Sequence, residues 1–213
     1  MKYICIFCGS SDIGAEKYAP EIKALCTALV GQGYGVVFGG SNVGLMKLVS
    51  DNIVELGGKI IGVITPELRK MGVMYQGIRL YEEETYSGRK AKTAELSSGF
   101  IALPGGFGTL DEVTEVAINN QFASYSPSPT NPKPLALLNS DGFYDGFLQQ
   151  MQRCNAEKFI TEKHRNMIFA TSNVNDLVEY FNKYTTPKPD NTRWWEKITT
   201  VDPVPELKSF GLR

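Results

Sequence analysis

Short runs of consecutive apolar residues alternate along this chain with longer stretches in which apolar residues recur every three or four positions. The runs predict strands over residues 3–8, 35–38, 59–64, 77–81, 100–103, 134–138 and 168–170, and the amphipathic stretches predict helices over 16–31, 44–56, 88–97, 109–121, 143–155 and 174–184. Strands as uniformly apolar as IIGVI, FIAL and LALL suit a parallel sheet buried on both faces. Strand–helix alternation with short links implies right-handed crossovers, so the expected fold is α/β, a Rossmann-like doubly wound parallel sheet with helices on both faces. Two stretches break the pattern. Residues 124–134 (SYSPSPTNPKP) read as an exposed loop, and the segment from Thr185 carries Pro187, Pro189, Pro203 and Pro205 around Trp194 and Trp195. The expected organisation is one nucleotide-binding domain over 1–184 and a tail, 185–213, that packs on the body or on a partner subunit, because adjacent tryptophans rarely stay solvated.

Composition narrows the function. Of 213 residues, 42% are apolar, enough for a real core, and 22 Lys and Arg against 23 Asp and Glu leave a formal net charge of −1. That balance argues against a surface devoted to nucleic acid or anionic lipid. No apolar run approaches the roughly 18 residues of a membrane span, and MKYICIFCGS lacks a following cleavage pattern, so a soluble cytoplasmic protein is expected. Cys5 and Cys8 form a C-x-x-C on or just after a strand, where residues three apart face opposite ways, and no Cys/His cluster completes a metal site. Buried structural thiols are the expectation. The single histidine, His164, lies in the polar run TEKHR and reads as a surface residue.

Three glycine-rich loops fall where ligands bind in open parallel sheets, beyond the carboxyl ends of strands. They are Cys8-Gly9-Ser10-Ser11, the loop from Gly39 and Gly40 to Gly44, and Pro104-Gly105-Gly106-Phe107-Gly108-Thr109. Small residues let a ligand approach the backbone, and the helix that follows offers free N–H groups, so a phosphate is the natural occupant. The loops match neither a Walker loop nor a dinucleotide fingerprint. Thr109 and Glu112 satisfy the spacing of a capping box; the competing reading sets Glu112 at the mouth of the crevice with Glu115 on nearly the same face. Arg89 and Lys90 sit near the start of a helix, where cations oppose the dipole by about 0.3–1 kcal/mol each, which a bound anion would offset.

These residues carry a family resemblance. Gly88-Arg89-Lys90-Ala91 followed by Phe100-Ile101-Ala102-Leu103-Pro104-Gly105-Gly106-Phe107-Gly108-Thr109-Leu110-Asp111-Glu112 resembles the LONELY GUY (LOG) family, whose hallmark is an Arg-Lys pair upstream of PGGxGTxxE. The likeness extends over about Met1 to Tyr184. It implies a homodimer that hydrolyses the N-glycosidic bond of nucleoside 5′-monophosphates, cytokinin ribotides or AMP, to base and ribose 5-phosphate without metal or cofactor. It also implies that Gly106, Gly108 and Thr109 hold the phosphate, that Glu112 contacts the ribose and that Arg89 completes the catalytic pair. Gly9, Ser10, Gly40, Lys90, Gly105 and Glu115 complete the expected substrate site. The chain departs from the family pattern at Tyr86 and Ser87, which stand where Met-His is usual, in its second glycine loop, and in lacking the acidic residue expected near the base between Glu67 and Gln76. A non-catalytic nucleotide or molybdenum-cofactor carrier on the same fold is the alternative, and lysine decarboxylation a weaker third reading.

Overall fold

A computed structural model describes residues 1–124 and 131–187. Among the described residues the apolar runs become seven strands: β1 (Tyr3–Phe7), β2 (Gly35–Phe38), β3 (Ile60–Ile64), β4 (Arg79–Glu82), β5 (Gly99–Ala102), β6 (Leu135–Leu138) and β7 (Ile168–Thr171). All pair in parallel, in the order β4-β3-β2-β1-β5-β6-β7. The order reverses between β1 and β5, and there the loops leaving the two strands diverge to opposite faces and open a crevice.

Among the described residues seven α-helices link the strands and an eighth follows β7: α1 (Ala15–Gly31), α2 (Gly44–Glu55), α3 (Pro66–Lys70), α4 (Tyr86–Leu96), α5 (Phe107–Ala123), α6 (Asp145–Ala156), α7 (Glu162–Arg165) and α8 (Val174–Lys183). On α1 the fully buried positions Ile22, Leu25, Cys26 and Leu29 follow helical spacing and pack, with Val49 and Ile53 of α2 and Leu177 and Phe181 of α8, on the sheet face that shows Ile4, Ile6, Val36 and Phe38. The opposite face, with Cys5, Phe7, Val37, Val63 and Phe100, is covered by Val113 and Val116 of α5 and by Tyr144. Alternate residues of β1 therefore serve two separate cores, as period-2 geometry requires.

Several expectations change. Strand β4 starts at Arg79 rather than at Gly77, whose φ of +77° makes it a turn. Helix α6 starts at Asp145 because Asp141 takes a positive φ in the preceding turn. Helix α3 escaped notice although Thr65 followed by Pro66 is an N-cap and N1 pair; the Thr65 hydroxyl accepts from Leu68 N–H. His164 is buried, not on the surface: it is the N3 residue of α7, where its Nδ1 accepts from the Thr161 N–H. The four cysteines are free thiols, with Cys5 and Cys8 packed toward different cores. Among the described residues no helix is long and apolar enough to cross a membrane. The expected packing of Trp194 and Trp195, and most of the 124–134 loop, lie outside the described residues.

Glycine is required most strictly at Gly44, with φ +54° and a position at which a Cβ would lie 2.7 Å from the Gly9 carbonyl oxygen and 2.8 Å from Ser11 N. Backbone cannot move aside as a side chain can. Gly44→Ala is expected to destabilise the fold by about 2 kcal/mol or more, measured by urea unfolding. Gly31→Ala, at the end of α1 with nothing within 4 Å of the new methyl, is the control and should stabilise by roughly 0.5 kcal/mol.

Candidate active site

Backbone contacts knit the loops after β1 and β5 to the start of α2. Gly9 N–H donates to the Pro104 carbonyl at 2.9 Å, Leu45 N–H to the Gly9 carbonyl at 3.0 Å, and Gly44 N–H to Asp12 Oδ1 at 2.6 Å. The Tyr144 hydroxyl donates to the Leu103 carbonyl at 2.5 Å and steadies the β5 end from below. A Cβ on Gly9 would meet Gly105 Cα and the Pro104 carbonyl oxygen, each at 3.2 Å, so the two loops touch through glycine backbone.

Above them lies a cleft of about 430 Å³ lined by Cys8, Gly9 and Ser10 from the first loop, Gly39 and Met46 from the second loop and α2, Tyr86, Ser87, Arg89 and Lys90 from α4, and Gly106 to Thr109, Asp111 and Glu112 from α5. That size falls in the range of small-ligand sites, roughly 300–1,000 Å³.

Helix α5 begins three residues earlier than the capping-box reading requires. Gly106 is the N-cap, extended and without a side-chain cap, so Phe107, Gly108 and Thr109 occupy the first turn with their N–H groups open to the cleft. Thr109 is thus N3, not N-cap, and Glu112 lies one turn inside the helix, too far along to cap it. The capping-box interpretation is overturned, and the helix presents uncapped N–H groups at the crevice. Helix α4 likewise starts at Tyr86, with the Thr85 hydroxyl accepting from Gly88 N–H at 3.0 Å, and Arg89 is its fourth residue.

Arg89 spans the crevice. Its Nε donates to the Val63 carbonyl at 2.9 Å and Nη2 to the Gly39 carbonyl at 3.3 Å, both at carboxyl ends of strands, while Nη1 lies 3.7 Å from Glu112 Oε1. Gly39 has to lack a side chain for this, since a Cβ there would run into the guanidinium and Met46. Glu112 is only 18% exposed. Burial pushes its carboxyl up to about 7, opposed by Arg89 and Lys90 and reinforced by Asp111 and Glu115.

Other expected residues take different positions. Lys90 bridges helices: its Nζ pairs with Asp111 at 2.9 Å and with Glu115, and both carboxylates hold its pKa above the ordinary lysine value. Glu115 faces this bridge and does not line the cleft. Gly40, with φ +74°, packs its Cα against β3 and accepts from Tyr75 N–H at 2.8 Å, outside the lining. Gly105 is beneath the lining, where a Cβ would strike the Thr109 hydroxyl. Reasoning from motifs passed over Gly39 as the acceptor for Arg89, and Asp111 as the counter-ion of Lys90. The first depends on two loops meeting across 50 residues; the second was legible as a charge inside the motif.

A family model described as "Possible lysine decarboxylase" matches residues 46–181. The chain is 38% identical over 209 residues to the cytokinin riboside 5′-monophosphate phosphoribohydrolase LOG of Oryza sativa subsp. japonica, covering 97% of this chain and 83% of that one. It is 33% identical over 189 residues to LOG2 of the same description from Arabidopsis thaliana, covering 88% and 85%. Among solved structures, the molybdenum cofactor binding protein from Rippkaea orientalis matches with a TM-score of 0.63 at 21% identity, covering 85% and 96%. The molybdenum cofactor carrier protein of Chlamydomonas reinhardtii matches with a TM-score of 0.61 at 20% identity over the same shares. At such identities these two neighbours speak for the fold alone.

Glu112 links stability to pH. A carboxyl whose folded pKa is about 7 against an ordinary 4.5 penalises the folded state increasingly as pH rises between those values, and fully above 7. Glu112→Gln removes the penalty. Thermal melts should therefore place the variant above the parent at about pH 8, with the gap closing toward about pH 5. A reversed gap would mean that the Arg89 pair outweighs burial.

Proposed function

We propose a function from one premise: the chain belongs to the LONELY GUY family of cytokinin riboside 5′-monophosphate phosphoribohydrolases. It is an N-glycosyl hydrolase that splits nucleoside 5′-monophosphates into free base and ribose 5-phosphate. The observation that carries the residue-level reading is the Arg89–Glu112 pair, set one helical turn from an uncapped helix N-terminus in the same cleft.

In this reading the 5′-phosphate sits on the open N–H groups of Phe107, Gly108 and Thr109, beside Gly9 and Ser10. That docking extends the ribose toward Glu112. Cleavage builds positive, oxocarbenium-like charge on the sugar while the electron pair of the C1′–N bond leaves with the base. The Glu112 carboxylate stabilises the first and the Arg89 guanidinium the second. Water adds its oxygen to C1′, and a carboxyl titrating near 7 is matched to receive the proton that water loses. Two strand-end carbonyls fix Arg89, so the guanidinium does not have to be reorganised during reaction. Lys90, bound by Asp111 and Glu115, holds α4 against α5 and so sets the separation of the pair; Glu115, Gly40 and Gly105 support the site from behind. The lysine decarboxylase description of the family model gains nothing here, because a Schiff-base lysine needs a prepared pocket and the one lysine of the cleft lining is engaged by two carboxylates.

The purified chain should release ribose 5-phosphate from AMP or from N6-isopentenyl-AMP. Arg89→Ala and Glu112→Ala should each lower kcat/KM by about 100-fold or more, in line with the removal of one preorganised charge. A chain that releases none, or variants that match the parent, would sink the assignment.

The same reading includes a homodimer. Helices α4 and α5 leave a groove of about 430 Å³ along Ala91, Ala94, Phe100, Val116 and Phe122, and Phe122 and Ile118 stay largely exposed. An apolar helix face of this kind favours self-association. Phe122→Asp should convert a dimer to a monomer in light scattering; a parent that is monomeric at micromolar concentration would refute this part.

A further inference from the structure

The cleft has two ends of different chemistry, and the mechanism uses the second only through Arg89. Helix α5 supplies the phosphate cradle and Glu112, and Asp111 and Glu112 are the only carboxylates in the lining among the described residues. The far side is built by Gly39, Met46, Tyr86 and Ser87, besides the cations Arg89 and Lys90. No acid stands there to accept a hydrogen bond from an exocyclic amine.

Tyr86 is placed to take over that task by another means. It is the first residue of α4, three positions before Arg89, and residues so spaced share one face of a helix. Its ring therefore stands one turn from the guanidinium that meets the departing base. The Thr85 cap and the bond from Arg89 N–H to the Thr85 carbonyl at 2.8 Å fix the backbone that carries it. Yet the side chain is 56% exposed, and among the described residues no ring stacks on it and no polar group pairs with its hydroxyl. A rigidly mounted aromatic lining a ligand cleft with its face free is a stacking platform, and stacking accepts any heterocycle.

We infer that Tyr86 is the base-binding residue of the site, its ring lying against the flat face of the heterocycle, with the Ser87 hydroxyl beside it. The inference rests on the phosphoribohydrolase reading, which sets the phosphate at α5 and so sends the base toward α4. Recognition by the face rather than the amine edge leaves room for a substituent on that amine, so AMP and N6-isopentenyl-AMP are gripped alike.

Calorimetric binding tests this independently of turnover. In a Glu112→Gln background, adding Tyr86→Ala should weaken AMP and N6-isopentenyl-AMP each by about tenfold, the scale of losing one stacked base. Ribose 5-phosphate, which has no base, should bind both proteins equally, and Tyr86→Trp should retain AMP affinity. Unchanged AMP affinity in Tyr86→Ala would overturn the inference. So would an equal loss for ribose 5-phosphate, which would make Tyr86 a support for the protein rather than a contact for the base. Failure of the parent to release ribose 5-phosphate from AMP would strike the enzymatic reading instead, and the two failures are read in separate experiments.

Discussion

The structure turns on one half-buried ion pair, Arg89 with Glu112, held at 3.7 Å across the point where the strand order reverses. Removing both groups from water carries a cost that a pair at this separation does not cancel by itself. The carboxyl records the imbalance, since it is pushed up to about 7 in spite of the cation beside it. A fold selected for stability alone would place apolar groups here. Instead Arg89 is fixed by the carbonyls of Val63 and Gly39, and Glu112 is carried on a seventeen-residue helix packed through Val113 and Val116 into the core. Arg89 is thereby fixed, and both side chains line the same cleft.

The glycines follow from that constraint. Gly39 clears the path by which Arg89 reaches its carbonyl acceptor, and Gly44 lets α2 begin against the Gly9–Ser11 backbone. Gly105 leaves room for the Thr109 hydroxyl. Three loops from three strands thus meet at backbone distance. The result is a cleft floor of backbone at which the first N–H groups of α5 stay uncapped. The Lys90 bridge to Asp111 and Glu115 closes the arrangement from the side, tying α4 to α5 so that the cation and the acid borne by those helices cannot drift apart.

How legible this was in the sequence depends on the range of the interaction. The seven strands and the six long helices are local patterns of apolar residues, and each lies within two residues of its expected place, with offsets where a turn glycine or a cap intervened, as at Gly77 and Gly106. Thr109 misled because a capping box and a phosphate loop share one spacing, and only the extended Gly106 tells them apart. His164 misled because four polar neighbours concealed that its ring closes a cap of its own short helix and turns inward. The partners of Arg89 were beyond reach, since they lie 26 and 50 residues away and are backbone carbonyls, which leave no mark in the identity of a residue.

A binding protein and a hydrolase can share this fold, and the molybdenum-cofactor carriers that superpose on it at about 20% identity do not decide between them. The decision rests on what each function would ask of the cleft. A carrier for an anionic ligand gains from free N–H groups and cations, and a buried carboxylate facing the ligand would repel what the carrier is meant to hold. A glycosyl hydrolase needs that carboxylate, because its transition state is positive at the sugar even though its substrate is negative at the phosphate. On the proposed reading, the acid one turn beyond the helix N-terminus separates the two demands: attraction at the phosphate, compensation at the anomeric carbon. On that reading, the buried position of Glu112 is the feature that an enzyme explains and a carrier does not.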